Sequence, residues 1–583
     1  MNDPNPAIRI EPLRWPADVE LVLPGSKSEA NRLLVAAALS GRRVTLTGAT
    51  AGADVRHLVQ GLATLGYEAT WRDEASGMVA VGPRADAAPT RGTIDCGNAG
   101  TALRFLCSVA AITPGEWILT GDAAMRRRPI GPLVAAWRRL GVAAEDTAGC
   151  PPVRVRGRAD VQGGDVTLDA SASSQFVSSL LLVGAALPSG IHVTWSGALA
   201  SAGYVALTVR ALARLGVTAE AGDGSARVRP GHGAVPEALA VHGDWSAMGV
   251  WTCLAHATGS RVTAANLARD SGQADEGLAA LLHRLDGPGD RTIDVAALPD
   301  QFPNLAVLAA HRDGTTTFTG GANLRHKESD RIAVMARGLA QIGVRAEERP
   351  DGLVVHGGRA DASPATIDPA ADHRIAMAFA LAGLLGPAVS IADPGCVAKS
   401  YPGFWQDLAT VVGSPRCVVV VGMRGAGKTT FAAALAAATV LPHVDTDRLF
   451  EQRFRPIAEF VAKYGWHNFR DLEAELVAES LQPGRIVSTG GGAIEHPATQ
   501  ALLEEHGLVI WLDADAERLR ARIAEDPRPR PSVTGAPVAE EVEALLARRR
   551  PLFERCATIR LDASLPTEAL VAEALRRLRD SAR

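Results

Sequence analysis

Four stretches of the chain share one order of apolar and polar positions: a helical period ending in Leu-Gly or Ile-Gly, a short alternating strand, a polar turn, and a second strand ending at glycine. They are GLATLGYEATWRDEASGMVAVGP from Gly61, AWRRLGVAAEDTAGCPPVRVRGR from Ala136, ALARLGVTAEAGDGSARVRPG from Ala211 and GLAQIGVRAEERPDGLVVHGG from Gly338. The alternation is plain in Val153 and Val155 against Arg154 and Arg156, which predicts a strand with one buried face. Each junction glycine, Gly66, Gly141, Gly216 and Gly343, suits the left-handed residue that ends a helix. Their separations of 75, 75 and 127 residues leave room in the last gap for one degenerate copy near Leu285. A repeated α+β unit, with helices laid on small sheets, is therefore expected to about residue 410.

The pattern changes at DLATVVGSPRCVVVVG. Ser414-Pro415 is a turn signal, and CVVVV is a continuous β-branched run of the kind buried on both faces of a parallel sheet. RIVSTGGG and HGLVIWLDAD repeat that character between helical stretches, which is a βαβ pattern. The expected boundaries are 1–412, a linker at 413–415, and 416–583. Length agrees, since 583 residues exceed a single core.

Composition narrows the function classes. Apolar residues at 47%, charged residues at 21% and a net charge of −4 without long runs of one sign suggest neither a nucleic-acid surface nor a membrane partner. The N-terminus lacks a basic segment followed by an apolar one, so a cytoplasmic protein is expected. Seven cysteines at irregular spacing form no metal-ligand pattern and are expected to be reduced packing residues.

Gly422-x-x-x-x-Gly427-Lys428-Thr429 lies after a strand signal and before an alanine-rich helix, the setting in which backbone N–H groups converge on nucleotide phosphates. Arg424, Gly425, Ala426, Gly427, Lys428, Thr429 and Thr430 are the candidate ATP contacts, with Lys428 as a point charge and the Thr429 hydroxyl as a Mg2+ ligand. Asp445 and Asp447 alternate along an expected strand end, where they either face a metal and a substrate or line a solvated turn. From Arg416 onward the order of phosphate loop, DTD, GWHNFRDLE, STGGGA, PRPRPSVTG and LARRRPLFERCA resembles shikimate kinase. The resemblance implies that Asp447, Arg470, Gly490, Gly491, Gly492 and Arg549 hold shikimate, Asp445 and Thr429 serve Mg2+, and Asp447 orients or deprotonates the attacking hydroxyl. It also implies ATP as co-substrate and a lid arginine at Arg530, with Arg528 as the alternative. Without it, Arg548, Arg549 and Arg550 would read as a solvated basic helix end.

Upstream, small residues surround dense polar clusters: LPGSKSEANR, DCGNAGTALRF, SASSQF, NLRHKESDR, ADHR and VAKSYP. Many cations and hydroxyls with a few carboxylates point to anionic ligands such as phosphates, and leave the reaction class open. In this order they resemble 5-enolpyruvylshikimate-3-phosphate (EPSP) synthase over residues 8–410, which implies a two-globe fold of six βαβαββ-type units. The resemblance further implies that Ser28, Arg32, Ser173, Ser174, Gln175, Ser201, Tyr204, Asn323 and Lys327 bind shikimate 3-phosphate. It assigns Lys27, Asn98, Gly100, Thr101, Arg128, Gln175, Arg331, Arg374 and Lys399 to phosphoenolpyruvate. By the same resemblance Asp300 would stand next to the 5-hydroxyl, Glu328 would deliver the proton to the methylene carbon and Lys27 would border the reacting groups, and no metal is expected. Phe105 stands where many members carry proline, which would reshape the helix behind Gly100 and Thr101, and Gly100 leaves room for glyphosate. Two other readings are a nucleotide-binding but non-catalytic C-terminal module, and a transferase whose acceptor is a UDP-amino sugar.

Overall fold

Each repeated stretch folds as a helix that empties into an antiparallel hairpin. The helices Ala53–Thr64, Gly131–Arg139, Gly203–Ala213 and Arg331–Gln341 stop just before Gly66, Gly141, Gly216 and Gly343, whose φ values are +90°, +83°, +73° and +80°. A side chain at any of these would strain the exit, so the Leu-Gly and Ile-Gly signals mark real helix ends. In this computed structural model the described residues are 7–171, 173–196, 199, 203–358, 364–439, 441–506, 508–525, 532–533 and 540–580.

Every hairpin joins a sheet of the same plan. In one, Arg91–Asp95 runs parallel to Gly115–Thr120, which pairs antiparallel with Cys150–Gly157, itself antiparallel to Ala143–Thr147. The sheets built on Val44–Thr47, Ile191–Ser196 and Gly314–Thr319 repeat that order. Two smaller sheets complete the set: Ala365–Ile367, Val389–Ile391 and Ile8–Ile10 in one, Arg261–Ala264 with Asp18–Leu21 in the other. Near Leu285 only the helical half of a copy forms, as Leu278–Leu282 continued by His283–Leu285. The chain then goes straight into Arg291–Asp294, the parallel strand of the next sheet.

The chain divides into two compact units. The first comprises Met1–Pro12, Glu20–Leu254 and Thr263–Asp407. Its core is lined by helices buried almost all round, Gly100–Ile112, Gln175–Val183, Phe302–His311 and His373–Leu385. Phe105, Trp137 and Phe176 are fully buried, each contributing roughly 2–3 kcal/mol of apolar transfer. Some polar groups among them pair within the core: Trp137 Nε1–H donates to Ser108 Oγ (3.0 Å), and Ser179 Oγ–H to the Arg104 carbonyl (2.6 Å). Phe105 does not break its helix; its ring lies under the Arg32 guanidinium, 5.3 Å from the centroid.

The second unit comprises Leu13–Val19, Ala255–Val262 and Leu408–Arg583. Its parallel sheet runs in the order His443–Asp445, Ile486–Ser488, Val418–Gly422, Leu508–Asp513, Ile559–Asp562, with helices between strands. Val418–Gly422 is buried along its whole length, as its unbroken apolar run requires. Trp15, far upstream, is buried in this core and donates Nε1–H to the Arg416 carbonyl at 2.9 Å. Among the described residues no helix is long and apolar enough to cross a membrane.

Candidate active sites

In the first unit, helix N-termini converge on one cavity of about 360 Å³. Lys27, Gly100, Gln175, Arg331 and His373 are each the first residue of a helix, and all five line it. Helix starts carry unpaired N–H groups and partial positive charge, so their convergence prepares an anion site before any side chain is counted. The side chains add to it. Arg32 donates to Thr208 Oγ1 (2.8 Å), the Ser28 carbonyl (2.8 Å) and the Tyr204 carbonyl (3.1 Å), all neutral acceptors, and burial pulls its pKa down to about 10. Arg104 is lowered to about 9, first by burial and then by Arg128. Arg128 keeps Nε and Nη2, and Arg374 keeps Nε, buried without a hydrogen-bond partner. Buried donors left open in this way are seats for ligand oxygens.

Gln175 is aligned from both ends: Oε1 accepts from Arg104 Nη1 (2.5 Å) and Nε2 donates to Thr101 Oγ1 (3.1 Å). Ser173 Oγ accepts from the Gln175 amide at 3.2 Å, and Ser174 is buried beside it. Ser28, Tyr204, Asn323 and Lys327 line the same cavity; Ser201 lies outside the described residues. Gly100 is tight against the cations, since a Cβ there would sit 2.7 Å from Arg128 Nη1.

The carboxylates face this positive shell. Asp300 receives Arg331 Nη1 (2.8 Å), Lys327 Nζ (3.4 Å) and the Tyr204 hydroxyl (3.3 Å). Burial raises its pKa, but Lys327, Arg331, Arg374 and Lys27 together hold it well below the usual range. Glu328 pairs with Lys399 Nζ (3.0 Å) and Arg331 Nη2 (3.0 Å) and is likewise held low against burial. Arg331 is enclosed, with Asp372 as a third carboxylate on Nε at 2.8 Å. Lys399 also donates to the Asn98 carbonyl at 3.1 Å, which ties those two residues together at the Glu328 side. Asp54, which the motifs do not mark, holds Lys27 Nζ at 3.1 Å and with Glu328 and Asp300 overcomes burial to raise the ammonium's pKa. His373 is buried with both ring nitrogens unpartnered, and burial keeps it neutral, its pKa well below the ordinary value. Asp275 and Asp244, also absent from the motifs, line the cavity too.

In the second unit the phosphate loop closes between Val418–Gly422 and the helix Lys428–Thr439, with Gly425 at φ +84° and Gly427 at φ +91°. Lys428 Nζ folds back to donate to the Met423 carbonyl at 3.1 Å. Thr429 Oγ1–H donates to Asp445 Oδ2 (2.6 Å), which also accepts from Ser488 Oγ (3.0 Å). These bonds outweigh burial and lower the Asp445 pKa, leaving a hydroxyl and an ionised carboxylate side by side, the hard oxygen set that suits Mg2+. Asp445 and Asp447 do not alternate along a strand as expected. Asp445 ends His443–Asp445 and caps the next helix, accepting from the Arg448 amide at 3.0 Å, and Asp447 stands in that helix's first turn. Burial raises the Asp447 pKa despite Lys428 nearby.

The triple glycine is explained by its neighbours. A Cβ at Gly490 would lie 2.1 Å from Glu473 Oε1 and 2.6 Å from Asp447 Oδ1, and one at Gly491 2.8 Å from the Arg424 amide nitrogen. Gly492 is pressed by the Arg470 guanidinium in the same way. Arg470 is gripped by Glu473 and lies 5.2 Å from the Trp466 ring centroid. Arg549 donates to the Gly491 carbonyl (3.0 Å) and Glu495 Oε2 (2.7 Å), with Nε buried and unpartnered. A cleft of about 420 Å³ opens on Trp466, Arg470, Glu495 and Arg548. Arg528 and Arg530 lie outside the described residues.

The family model for EPSP synthase (3-phosphoshikimate 1-carboxyvinyltransferase) matches residues 16–408, and that for shikimate kinase matches residues 424–579. A 3-phosphoshikimate 1-carboxyvinyltransferase of Pseudomonas syringae is 37% identical over 421 residues, covering 70% of this chain and 98% of the relative. A pentafunctional AROM polypeptide of Lachancea thermotolerans is 30% identical over 613 residues, 92% of this chain but only 38% of the relative, so the chain spans less than half of such proteins. Among solved structures, EPSP synthase of Acinetobacter baumannii superposes with a TM-score of 0.58 at 24% identity, over 69% of this chain and 97% of that one. The enolpyruvyl transferase NikO of Streptomyces tendae gives 0.53 at 20% identity, over 70% and 97%. At those identities the superpositions establish the fold.

Proposed function

The chain belongs to the EPSP synthase family, and on that premise we propose that it catalyses two consecutive reactions on the shikimate ring. Residues 416–583 transfer the γ-phosphate of ATP to the 3-hydroxyl of shikimate; residues 1–412, joined to them by 413–415, transfer the enolpyruvyl group of phosphoenolpyruvate to the 5-hydroxyl of shikimate 3-phosphate and release phosphate. The observation that carries the reading is the single buried cavity in which helix N-termini and open guanidinium donors face Asp300 and Glu328. Two anionic substrates need such a shell, and giving a proton to the methylene carbon while taking one from the oxygen that attacks the neighbouring carbon calls for two separately placed groups.

In the transferase, Ser28, Arg32, Ser173, Ser174, Gln175, Ser201, Tyr204, Asn323 and Lys327 seat shikimate 3-phosphate, while Lys27, Asn98, Gly100, Thr101, Arg128, Arg331, Arg374 and Lys399 surround phosphoenolpyruvate. Glu328 is ionised in the ligand-free cavity, so it must gain a proton before it can donate one. Phosphoenolpyruvate supplies the means: its negative charge beside Lys399, Arg331 and Arg128 offsets the cations that hold Glu328 low. Glu328 then protonates the methylene carbon and the 5-hydroxyl oxygen bonds to C2 as Asp300 takes its proton; the C2–O bond to phosphate then breaks while a methyl proton returns to Glu328, which leaves the enol ether. Lys27, raised above its ordinary pKa, stays charged throughout and stabilises the departing phosphate.

In the kinase, Arg470 and Arg549 grip the shikimate carboxylate, Gly490, Gly491 and Gly492 admit the ring, and Asp447 orients or deprotonates the 3-hydroxyl. Residues 424–430 hold the ATP phosphates, with Lys428 on the transferred group and Arg530 or Arg528 closing over it. Thr429 and Asp445 would hold Mg2+, which when bound supplies positive charge against the β- and γ-phosphates. The seven free thiols fit a reducing, cytoplasmic setting.

The competing reading, a C-terminal module that binds nucleotide without turnover, has no use for Arg470 and Arg549 in a shikimate grip. The test incubates the full chain with shikimate, Mg-ATP and phosphoenolpyruvate and follows ADP and inorganic phosphate separately. Phosphate released only when all three are present supports both activities; ADP without phosphate leaves the kinase alone, and phosphate from supplied shikimate 3-phosphate without ADP leaves the transferase alone.

A further inference from the structure

A buried hydrogen-bond chain runs behind the Asp300 turn. Asp300 and Gln301 belong to the short turn Pro299–Gln301, which leads straight into the helix Phe302–His311. Asp300 lines the cavity, whereas Gln301 is fully buried. Its Nε2 donates to Asp275 Oδ1 at 2.7 Å and to the Ser246 carbonyl at 3.3 Å, and its Oε1 accepts from Asn304 Nδ2 at 3.0 Å. Space for this amide is reserved by Gly249, where a Cβ would lie 2.0 Å from Gln301 Oε1. The Ser246 carbonyl also accepts from Arg374 Nη1 at 2.8 Å. One amide thus joins the turn bearing Asp300, the carbonyl that seats Arg374, and a carboxylate from another loop.

We propose that Asp275 and Gln301 form a positioning pair that fixes Asp300 and Arg374 relative to each other, so that the acceptor of the 5-hydroxyl proton and a cation on the phosphoenolpyruvate side are held as one unit. The inference rests on the transferase reading. Breaking the pair leaves both substrates' main contacts in place, and so acts on turnover more than on binding.

The pair is also sensitive to protons. Burial, then repulsion from Asp300, pushes the Asp275 carboxyl up to about 6, while Arg374 and the Gln301 bond act against that and Asp244 adds to it. The Tyr204 phenol, itself raised by burial and by Asp300 and Asp275, also faces it. Protonation replaces a charge-assisted acceptor for Gln301 Nε2 by a neutral one, so the pair weakens as pH falls through about 6.

The experiment uses the full chain with supplied shikimate 3-phosphate and phosphoenolpyruvate, and follows phosphate release from about pH 5 to 8.5. Gln301→Leu should lower kcat by roughly 10- to 100-fold with each KM within about twofold. Asp275→Asn, which keeps the shape and an acceptor oxygen, should lower kcat at neutral pH to the parent's acid level and lose the inflection near pH 6. An unchanged thermal unfolding profile of the first unit in both variants reports that they are folded. An inflection that persists in Asp275→Asn belongs to the substrates' own phosphates and overturns the inference, as does Gln301→Leu raising KM at unchanged kcat. A parent chain that releases no phosphate would instead refute the transferase reading itself.

Discussion

Arg331 donates from Nη1 to Asp300 Oδ1 at 2.8 Å, so a fully enclosed cation of the cavity rests directly on the group proposed to take the 5-hydroxyl proton. The same guanidinium holds Glu328 and Asp372, and so fixes the two carboxylates proposed to react, Asp300 and Glu328, from one planar fork. Asp300→Asn keeps that geometry but removes the proposed base. Phosphate release from shikimate 3-phosphate and phosphoenolpyruvate should fall by about 10²- to 10⁴-fold in kcat with little change in KM. A similar loss confined to KM would mean that Asp300 only binds.

Gly100 carries the second prediction. A methyl group there would enter within 2.7 Å of Arg128 Nη1 and 3.5 Å of Arg104 Nη1, both flexible side-chain ends that can yield slightly. The compact phosphoenolpyruvate tolerates that shift better than the longer glyphosate chain. For the parent, glyphosate inhibition should be competitive with phosphoenolpyruvate. Gly100→Ala should raise its inhibition constant by roughly 10- to 100-fold and KM for phosphoenolpyruvate by a smaller factor. Insensitivity of the parent at millimolar glyphosate would sink the idea.

The features legible in the sequence were those whose signals are local. The four helix-ending glycines announced four hairpins because each needs a positive φ at one place, and the phosphate loop announced itself through strand, glycines and helix in a row. The copy near Leu285 was only half visible because only its helix forms. Asp445 and Asp447 were placed on a strand because alternation cannot reveal that Asp445 caps a helix. Asp54 and Asp275 were not found, since each meets its partner only through the tertiary fold, Asp275 meeting Gln301 across 26 positions. Glu473 had a usable signal, three residues after Arg470 on one helix face.

Glu473 carries a pH prediction. Its carboxyl is buried, and burial followed by repulsion from Asp447 pushes its pKa up from 4.5 to about 7, against the attraction of Arg470. A raised folded-state pKa favours the native state fully below 4.5, and that advantage is lost as pH rises through about 7. Keeping this group ionised above that pH therefore costs on the order of 3 kcal/mol relative to the protonated form. Glu473→Gln should raise the unfolding temperature of the kinase unit at pH 8 and leave it nearly unchanged at pH 5. KM for shikimate should rise, because Arg470 loses a charged partner. Equal melting shifts at the two pH values would show that the carboxyl does not titrate in this range.

Lys428 separates the two activities. Its ammonium group sits over the phosphate loop, bonded to the Met423 carbonyl at 3.1 Å, and belongs to a unit whose core is distinct from the cavity around Asp300. Removing it deletes the point charge proposed to face the transferred phosphoryl group without opening a cavity in the sheet. Lys428→Ala should reduce ADP formation from shikimate and Mg-ATP by about 10²-fold or more, the usual effect of losing one preorganised charge on a reacting phosphate. Conversion of supplied shikimate 3-phosphate should continue at the parent rate. With shikimate as the only ring substrate, phosphate release should fall in proportion to ADP, because the transferase then depends on the kinase for its acceptor. Loss of both activities with shikimate 3-phosphate supplied would contradict independent sites.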